Sequence, residues 1–435
     1  MPAPPIEAAE FRARVERLGP WPDRPGLAVA LSGGRDSTAL TLLLHAWLEE
    51  RRGRLLALTV DHGLRPGSAE EAAWAAAFCA SRGIAHRTLR WRPDSPLPAG
   101  APVQAAARAA RYRLLQEACR QEGLVALCTA HQADDQQETL LLRLVAGSGL
   151  LGLAAMSTRR RLDDVVLLRP LLGIPRARLE ATLRGRGQPW LDDPSNEEPR
   201  HRRVALRQAA PRLAAAGLTA GRLALAAELF GRLRLAVERA AADVLAEAVA
   251  WHPAGFARLA GPSLLAAPRP VARLALAEIL RAIGSRTPGP GEQALDRALD
   301  RLGAEPSRGF TLAGARLWPR RGEWLALPEP RGLPGLVLEP GGRCRWGCFA
   351  VAVAPAAPAG LRLERLGQRV WSRLAAELGP APLPGPVLWA QPTLWDSEGL
   401  LALPTLGWGR AVEPAPARVR FIPEAPAGGF GFTVA

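Results

Sequence analysis

Over the first 170 residues, short apolar runs alternate with stretches whose apolar residues recur at helical spacing. Residues 27–31 form a run short enough for a buried strand, and Leu40, Leu43 and Leu44 after it recur at helical spacing. Strand-like runs follow at 54–60, 84–91, 124–129 and 165–170, with helical patterns between them at about 69–82, 103–122 and 134–146. This alternation predicts an α/β fold: a Rossmann-like parallel sheet with helices on both faces. Ligands in such folds bind beyond the C-terminal ends of the strands, so chemistry is expected at 32–37, 61–64 and 129–138.

The pattern then changes. Residues 211–250 read as alanine-rich amphipathic helix and 263–303 as more helix, which predicts a helical domain. A proline- and glycine-rich stretch at 327–342 reads as a linker, and the last ninety or so residues mix short β-like runs with one helical segment near 363–378. The expected boundaries are 1–212, a helical domain at 213–330, a linker at 331–342 and a small α+β domain at 343–435.

Composition adds a charge bias. Of 435 residues, 48% are hydrophobic, enough for substantial cores, while 56 basic residues against 41 acidic ones leave a formal charge of +15. Every basic residue is arginine. Coding bias is one reading of that excess; the other is a polyanionic partner such as nucleic acid. Cys79, Cys119, Cys128, Cys344 and Cys348 are odd in number and scattered, which argues against a disulfide framework or a zinc or iron–sulfur site. The N-terminus has no apolar core of signal-peptide type and no stretch reads as a membrane span, so a cytoplasmic location without a membrane partner is expected.

Two stretches carry candidate chemistry. In "SGGRDS" (32–37), Gly33 and Gly34 permit a tight turn over a helix N-terminus, where unpaired N–H groups and the helix dipole attract anionic oxygens. Ser32 and Ser37 can add hydroxyl donors, and Asp36 can hold a metal that bridges phosphates. The competing reading is an ordinary glycine turn capped by Asp36 and Ser37, and the stretch lacks both the Walker ending and the three-glycine Rossmann spacing. In "TAHQADDQQETLLLRLVAGSGLLGL" (129–153), Asp135 and Glu138 stand three apart at a helix start and share a face. Helix capping explains such acidic residues equally well, apart from their position beside the Ser-Gly-Gly turn.

Together with "DHGLRPGSAEE" (61–71), "AARAARYRLL" (106–115), "LLRPLLGIPR" (167–176) and "WLDDPSN" (190–196), these stretches closely resemble the tRNA(Ile)-lysidine synthetases of the PP-loop ATP pyrophosphatase superfamily. The resemblance covers about the first 210 residues, and the layout beyond them is similar to the long, three-domain form of that family. Two positions depart from its pattern: Gln132 stands where a second histidine is usual, and Arg203-Val204 where Arg-Asn is usual. The resemblance implies a ligase that forms a C–N bond at the wobble cytidine (position 34) of the tRNA(Ile) with a CAU anticodon. ATP adenylates the C2 oxygen and pyrophosphate leaves; the ε-amine of L-lysine then attacks C2 and expels AMP, giving lysidine.

Carried over residue by residue, Ser32, Gly33, Gly34, Arg35, Asp36, Ser37, Asp61 and His62 hold ATP, and Asp36 binds Mg²⁺. Arg111 contacts ATP and the transition state, Asp135 and Glu138 form the lysine site, and His131 sits beside them. Arg200, Arg202, Arg203 and Arg207, with both C-terminal domains, face the tRNA; a homodimer is left open. Other enzymes share the first loop, and a tRNA thiolase is the main alternative, although the chain has no Cys-x-x-Cys. A decayed, non-catalytic RNA-binding domain is a third reading, against which Asp36, Asp135 and Glu138 all stand.

Overall fold

In the computed structural model, residues 3–63, 67–91, 103–124, 126–162, 165–192, 202–285, 289–304, 308–378, 382–410 and 415–422 are described. Chain contacts divide the protein into two compact units, with the division between Leu235 and Ala236.

The first unit runs α1 (Ala8–Glu16), β1 (Gly26–Ala30), α2 (Arg35–Glu50), β2 (Arg54–Asp61), α3 (Ser68–Ala80), β3 (Ala85–Arg90), α4 (Val103–Gln121), β4 (Ala126–Cys128), α5 (Ala133–Val145), α6 (Leu150–Leu153), β5 (Arg159–Leu162), β6 (Val165–Leu168), α7 (Arg176–Gly185), α8 (Arg202–Ala215) and α9 (Ala220–Ala248), which contains the division. The six strands form one sheet in the order β3-β2-β1-β4-β6-β5. All neighbours are parallel except β5, which lies antiparallel to β6 at the edge. The expected alternation is therefore present; β1 and β2 are at least as long as their apolar runs, while β3, β4 and β6 are two or three residues shorter.

Strand alternation supplies both faces of the sheet. Leu27, Val29, Leu55, Ala57, Ala126 and Cys128 turn to one side, where α1, α2, α3 and α7 cover them. Ala28, Ala30, Leu56, Leu58, Leu127 and Leu167 turn to the other, against Leu115 and Cys119 of α4. Because β1 is covered on both faces and paired on both edges, small residues predominate in it. Beyond the sheet, Leu140 and Leu141 of α5 pack against Leu223, Ala227 and Phe230 of α9.

The helical run expected over 211–250 is interrupted in the structure: α8 stops at Ala215 and α9 starts at Ala220. Gly217 at φ +91° makes the break, and Leu218 N returns to Leu213 O at 2.8 Å. No single helix among the described residues is long and apolar enough to cross a membrane.

The second unit continues with β7 (Val249–His252), β8 (Phe256–Leu259), α10 (Gly261–Ala266), α11 (Arg269–Gly284), α12 (Glu292–Gly303), β9 (Phe310–Leu312), β10 (Ala315–Arg320) and β11 (Glu323–Pro328). The helical region is there, and beside it lies an antiparallel sheet, β7-β8-β11-β10-β9, that the helical pattern did not predict. Leu276, Ile279 and Ile283 of α11 and Leu299 of α12 share a core with Ala257, Leu317 and Ala326 of this sheet. The chain ends in β12 (Leu336–Val337), β13 (Arg343–Trp346), β14 (Phe349–Val353), β15 (Arg362–Arg365), α13 (Gly367–Leu378), α14 (Gly385–Leu388), β16 (Pro392–Asp396), β17 (Gly399–Leu403), β18 (Trp408–Gly409) and β19 (Ala417–Phe421). These strands make the sheets β12-β15-β16-β17-β18 and β13-β14-β19, over a core containing Trp346, Phe349, Leu363 and Leu394. Within the proline-rich stretch at 327–342, Leu336 and Val337 pair with Leu363 and Arg362.

One cation on α7 gathers several groups of the N-terminal segment. Arg178 on α7 donates to Glu10 Oε1 at 2.9 Å and Oε2 at 2.6 Å, and to the carbonyls of Pro4 and Pro5 at 3.2 and 3.1 Å. Its hydrogen bonds hold the Glu10 carboxyl below its ordinary pKa. A carboxylate with a lowered folded pKa stabilises the fold above its unfolded pKa and loses that contribution as pH falls through the folded value. Glu10→Gln is therefore expected to cost about 1 kcal/mol at neutral pH, a gap that closes on acidification. Denaturant melts across the acid range check this, and a gap independent of pH would refute it.

Candidate active site

The site is built where the strand order reverses. β1 pairs with β2 on one side and β4 on the other, so the loops leaving β1 and β4 open over a shared crevice. At the end of β1, Leu31 N donates to Leu58 O and Leu31 O accepts from Thr59 Oγ1, both at 2.9 Å. The turn therefore begins at Ser32. Gly33 takes φ +79°, and a Cβ there would lie 2.7 Å from Leu191 Cδ1, so neither conformation nor space admits a side chain. Leu191 N donates to Gly33 O at 2.9 Å, fixing the loop from outside.

Gly34 then opens α2 in extended conformation with no side-chain cap. Ser37 Oγ donates to Gly34 O at 2.9 Å, accepts from Ser32 N at 3.2 Å and lies 3.1 Å from Ser32 Oγ. The loop is thus curled by its own hydroxyls, while the first N–H groups of a buried four-turn helix carry no side-chain cap. That arrangement binds phosphate oxygens.

Asp36 sits in the first turn of α2. Arg35 Nε reaches its Oδ1 at 3.3 Å and Arg35 Nη1 reaches Glu180 Oε2 on α7 at 3.3 Å. Burial raises the Asp36 pKa above its ordinary value; Arg35 and Arg176 pull it down, and the charge of Asp134 pushes it up again. Burial outweighs the two arginines, and a divalent cation would favour the charged carboxylate. No group of three or more His, Cys, Asp or Glu side chains able to hold a metal occurs among the described residues. Such a sparse donor set fits Mg²⁺, which keeps waters and takes substrate phosphate oxygens for its remaining positions.

At the end of β2, Asp61 Oδ1 accepts from Gly63 N at 3.0 Å and Ser68 Oγ at 2.7 Å, bonds that hold its carboxyl below the ordinary value and brace the turn into α3. Burial and the Arg111 guanidinium depress His62, whose buried Nδ1 has no partner and whose ring meets Trp91 edge-on at 6.1 Å. Burial lowers the Arg111 pKa as well, and among the described residues the groups that bear on its charge are Tyr112 and Arg108. A half-buried cation so placed can favour an anionic substrate atom. Tyr112, beneath the Arg108 guanidinium at 5.4 Å, also bonds Arg169, which is buried behind β6 and donates to Ser157 O at 2.6 Å.

At the end of β4, Thr129 Oγ1 lies 3.0 Å from His131 Nδ1. Gln132 caps α5: its side-chain oxygen accepts from Asp134 N, and Asp135 Oδ2 accepts from Gln132 N at 3.1 Å. The residue that departs from the family's histidine is thus the helix cap, and Asp135 takes part in that cap. Glu138, one turn further on the same face, is buried at 6% exposure. The structure therefore gathers Ser32 to Ser37, Asp61, His62, Arg111, His131, Asp135 and Glu138 at the C-terminal side of one sheet.

Arg202, Arg203 and Arg207 lie on α8, which runs against α5; their side chains and all of Arg200 fall outside the described residues. Sequence reasoning missed Asp134, Arg176 and Glu180. The first two lie within stretches that carry the family resemblance, 129–153 and 167–176, whereas Glu180 has no local signal.

A family model described as a PP-loop domain matches residues 8–213. With the reversed strand order, the hydroxyl-curled loop and the uncapped helix, this defines the class: an ATP-binding enzyme with a PP-loop domain. Beyond it, the chain is 44% identical to the tRNA(Ile)-lysidine synthase of Methylobacterium sp. (strain 4-46) over 76% of this chain and 96% of that protein. It is 36% identical to that of Ruegeria pomeroyi over 88% of each chain, and 37% identical to that of Mesorhizobium japonicum over 87% of this chain and 84% of that protein. The chain belongs to the tRNA(Ile)-lysidine synthase family. Its cysteines give no support to thiolation: all five are free, and burial pushes Cys79 and Cys119 up to about 11 and Cys348 up to about 12, far from a reactive thiolate.

Gly33→Ala has to displace Leu191 and hold a side chain at positive φ, a cost of about 1–2 kcal/mol. ATP affinity measured by calorimetry is expected to fall about tenfold. The double variant Gly33→Ala/Leu191→Ala should recover only the steric part. Wild-type affinity in Gly33→Ala would separate this loop from the nucleotide.

Proposed function

We propose that this chain joins L-lysine to C2 of the wobble cytidine of the tRNA(Ile) with a CAU anticodon, through an adenylated tRNA, at the expense of ATP with Mg²⁺. One observation carries the reading: Val29 of β1 stands opposite Cys128 of β4, so the phosphate loop and the helix bearing Asp135 and Glu138 leave adjacent strands over one crevice. An activated nucleotide and an amine nucleophile can meet there.

In this mechanism the loop at 32–37 and the α2 N-terminus hold the triphosphate, with Asp61 and His62 lining its far side. Asp36 would hold Mg²⁺, which would supply charge neutralisation on the phosphates. Arg111 faces the negative charge that develops between the α-phosphate and the cytosine oxygen. Lysine then enters. Its ammonium loses hydration in the crevice; the carboxylates of Glu138 and Asp135 replace that hydration, take up the proton the ammonium gives up, and aim the free amine at C2, from which AMP leaves. His131 orients the substrate beside them. Arg200, Arg202, Arg203 and Arg207 hold phosphates next to α5, and residues 213–330 and 343–435 hold the body of the tRNA. Five free cysteines suit a cytoplasmic setting.

Asp36→Asn keeps the shape of its side chain and removes the charge. TRNA-dependent pyrophosphate release is expected to fall at least a hundredfold, with a folded protein by circular dichroism; near-normal release would remove Asp36 from the metal. Glu138→Gln addresses the second step: lysidine formation should drop at least tenfold while single-turnover formation of adenylated tRNA is largely kept. Quenched time courses that follow both species decide this, and equal loss of both would move Glu138 to the ATP site.

A further inference from the structure

A closed ring of contacts grips the nucleotide loop from outside, drawn from α3 and from the segment after α7. Leu191 N donates to Gly33 O at 2.9 Å, and Leu191 and Gly34 form an isolated parallel bridge, so the chain at Leu191 runs along the loop as a strap. Two side chains press on Gly33: a Cβ there would lie 2.7 Å from Leu191 Cδ1 and 3.3 Å from Trp74 Cε3. Trp74 stacks on Phe78, one helical turn further along α3, with ring centroids 5.5 Å apart and planes 2° from parallel. Arg82, just beyond α3, lays its guanidinium over Phe78 at 4.6 Å and donates to the side-chain oxygen of Gln188. The Gln188 amide in turn donates to Pro189 O at 2.5 Å, and its backbone N donates to Leu183 O at 3.0 Å in the last turn of α7. Leu191 follows and closes the ring. Gln188 is buried at 5% exposure, whereas Arg82 is exposed.

We propose that Arg82 and Gln188 are positioning residues for ATP: they hold Leu191 and Trp74 against Gly33, and so keep the uncapped N–H groups of α2 in phosphate-binding geometry. The proposal rests on the reading of residues 32–37 as the ATP loop. Gly33 at φ +79° carries no side chain to pin it, so its place depends on what packs against it. A loose loop has to be ordered by its ligand, and that cost is subtracted from affinity. A buried amide oxygen that loses its donor has to turn out or take in water. At Gln188 either response disturbs the bond to Pro189 O, and with it the strap. Arg82 suits the task because its planar guanidinium stacks on Phe78 while its N–H edge meets the amide. Arg111, Asp135 and Glu138 stand on α4 and α5, outside the ring. The pair therefore acts on the hold on the triphosphate, in ground state and transition state alike, which moves KM and leaves kcat.

The test uses the full chain and the variants Arg82→Ala, Gln188→Ala, their combination, and Arg82→Lys, which keeps a donor for the Gln188 oxygen. Arg82→Ala alters an exposed residue, so it stays folded even where Gln188→Ala does not, and thermal melts by circular dichroism record this. Calorimetry with ATP and Mg²⁺, without tRNA or lysine, is expected to give either alanine variant a dissociation constant about five- to tenfold above wild type. In tRNA-dependent pyrophosphate release, KM for ATP should rise by the same factor, with kcat and KM for lysine within about twofold of wild type. The combined variant should be no worse than the single ones, since both break one contact, and Arg82→Lys should recover most of the affinity. General weakening of the fold lowers the melting temperature and the active fraction but leaves KM for ATP in place, so this split separates positioning from mere support. Unchanged ATP affinity in folded Arg82→Ala would overturn the proposal. A loss confined to kcat, or alanine effects that multiply in the combined variant, would overturn it too. Wild-type protein that binds no ATP would bring down the reading of the loop itself, whereas variants that bind ATP as the wild type does bring down only the role of Arg82 and Gln188.

Discussion

Everything at the site depends on the double pairing of β1. Ala28 lies between Leu56 and Leu127, and Val29 between Ala57 and Cys128, so the strand is held by hydrogen bonds on both edges and buried on both faces. The chain leaves β1 toward β2 and later returns to its other edge as β4. At that reversal the two crossovers diverge, and the crevice between them is left open by the topology itself. The loop at 32–37 and the start of α5 line it because the strands beneath them are immovable. A parallel sheet covered on both sides by helices also explains why β1 is made of Gly, Leu, Ala and Val: larger residues would push the covering helices away.

Charge within the site is deliberately incomplete. Arg35 joins Asp36 to Glu180, yet burial still raises the Asp36 pKa, while among the described residues the groups that bear on Arg111 include no carboxylate. Charges taken out of water cost stability unless something compensates them. In the proposed function ATP would do so. Asp135 is fixed by its place in the cap of α5, so any role for it in the site is set together with the start of that helix.

The arginine excess sorts into two populations. Arg178 with Glu10, Arg258 with Glu323, Arg269 with Asp296 and Asp300, and Arg410 with Asp396 and Glu398 are structural, each making two or more hydrogen bonds between separate elements. The arginines of β13 and β19 stand in register on one face of a sheet. Coding bias can explain the choice of arginine over lysine, but it does not place four of them in register across a sheet.

What the sequence determined by itself is what short-range physics controls. The apolar run 27–31, the two glycines, the hydroxyls and the following helical period are local, and each reappears in place; so do the acidic first turn of α5 and the strands and helices expected through residue 170, to which the structure adds α1, α6 and the edge strand β5. What only the tertiary structure decided are relations between distant residues. Leu191 is the reason Gly33 admits no Cβ, and nothing near position 33 announces it. Asp134 and Asp135 are indistinguishable in the string, but helix phase turns one toward Asp36 and the other into the cap. The sheet β7-β8-β11-β10-β9 went unread because its strands are three to six residues long and rich in Ala, Leu and Arg, which serve helices equally well. The arginine face exists only through the register of β13 and β19 on β14, strands far apart in the chain, because side chains share a face by pairing and not by proximity in sequence.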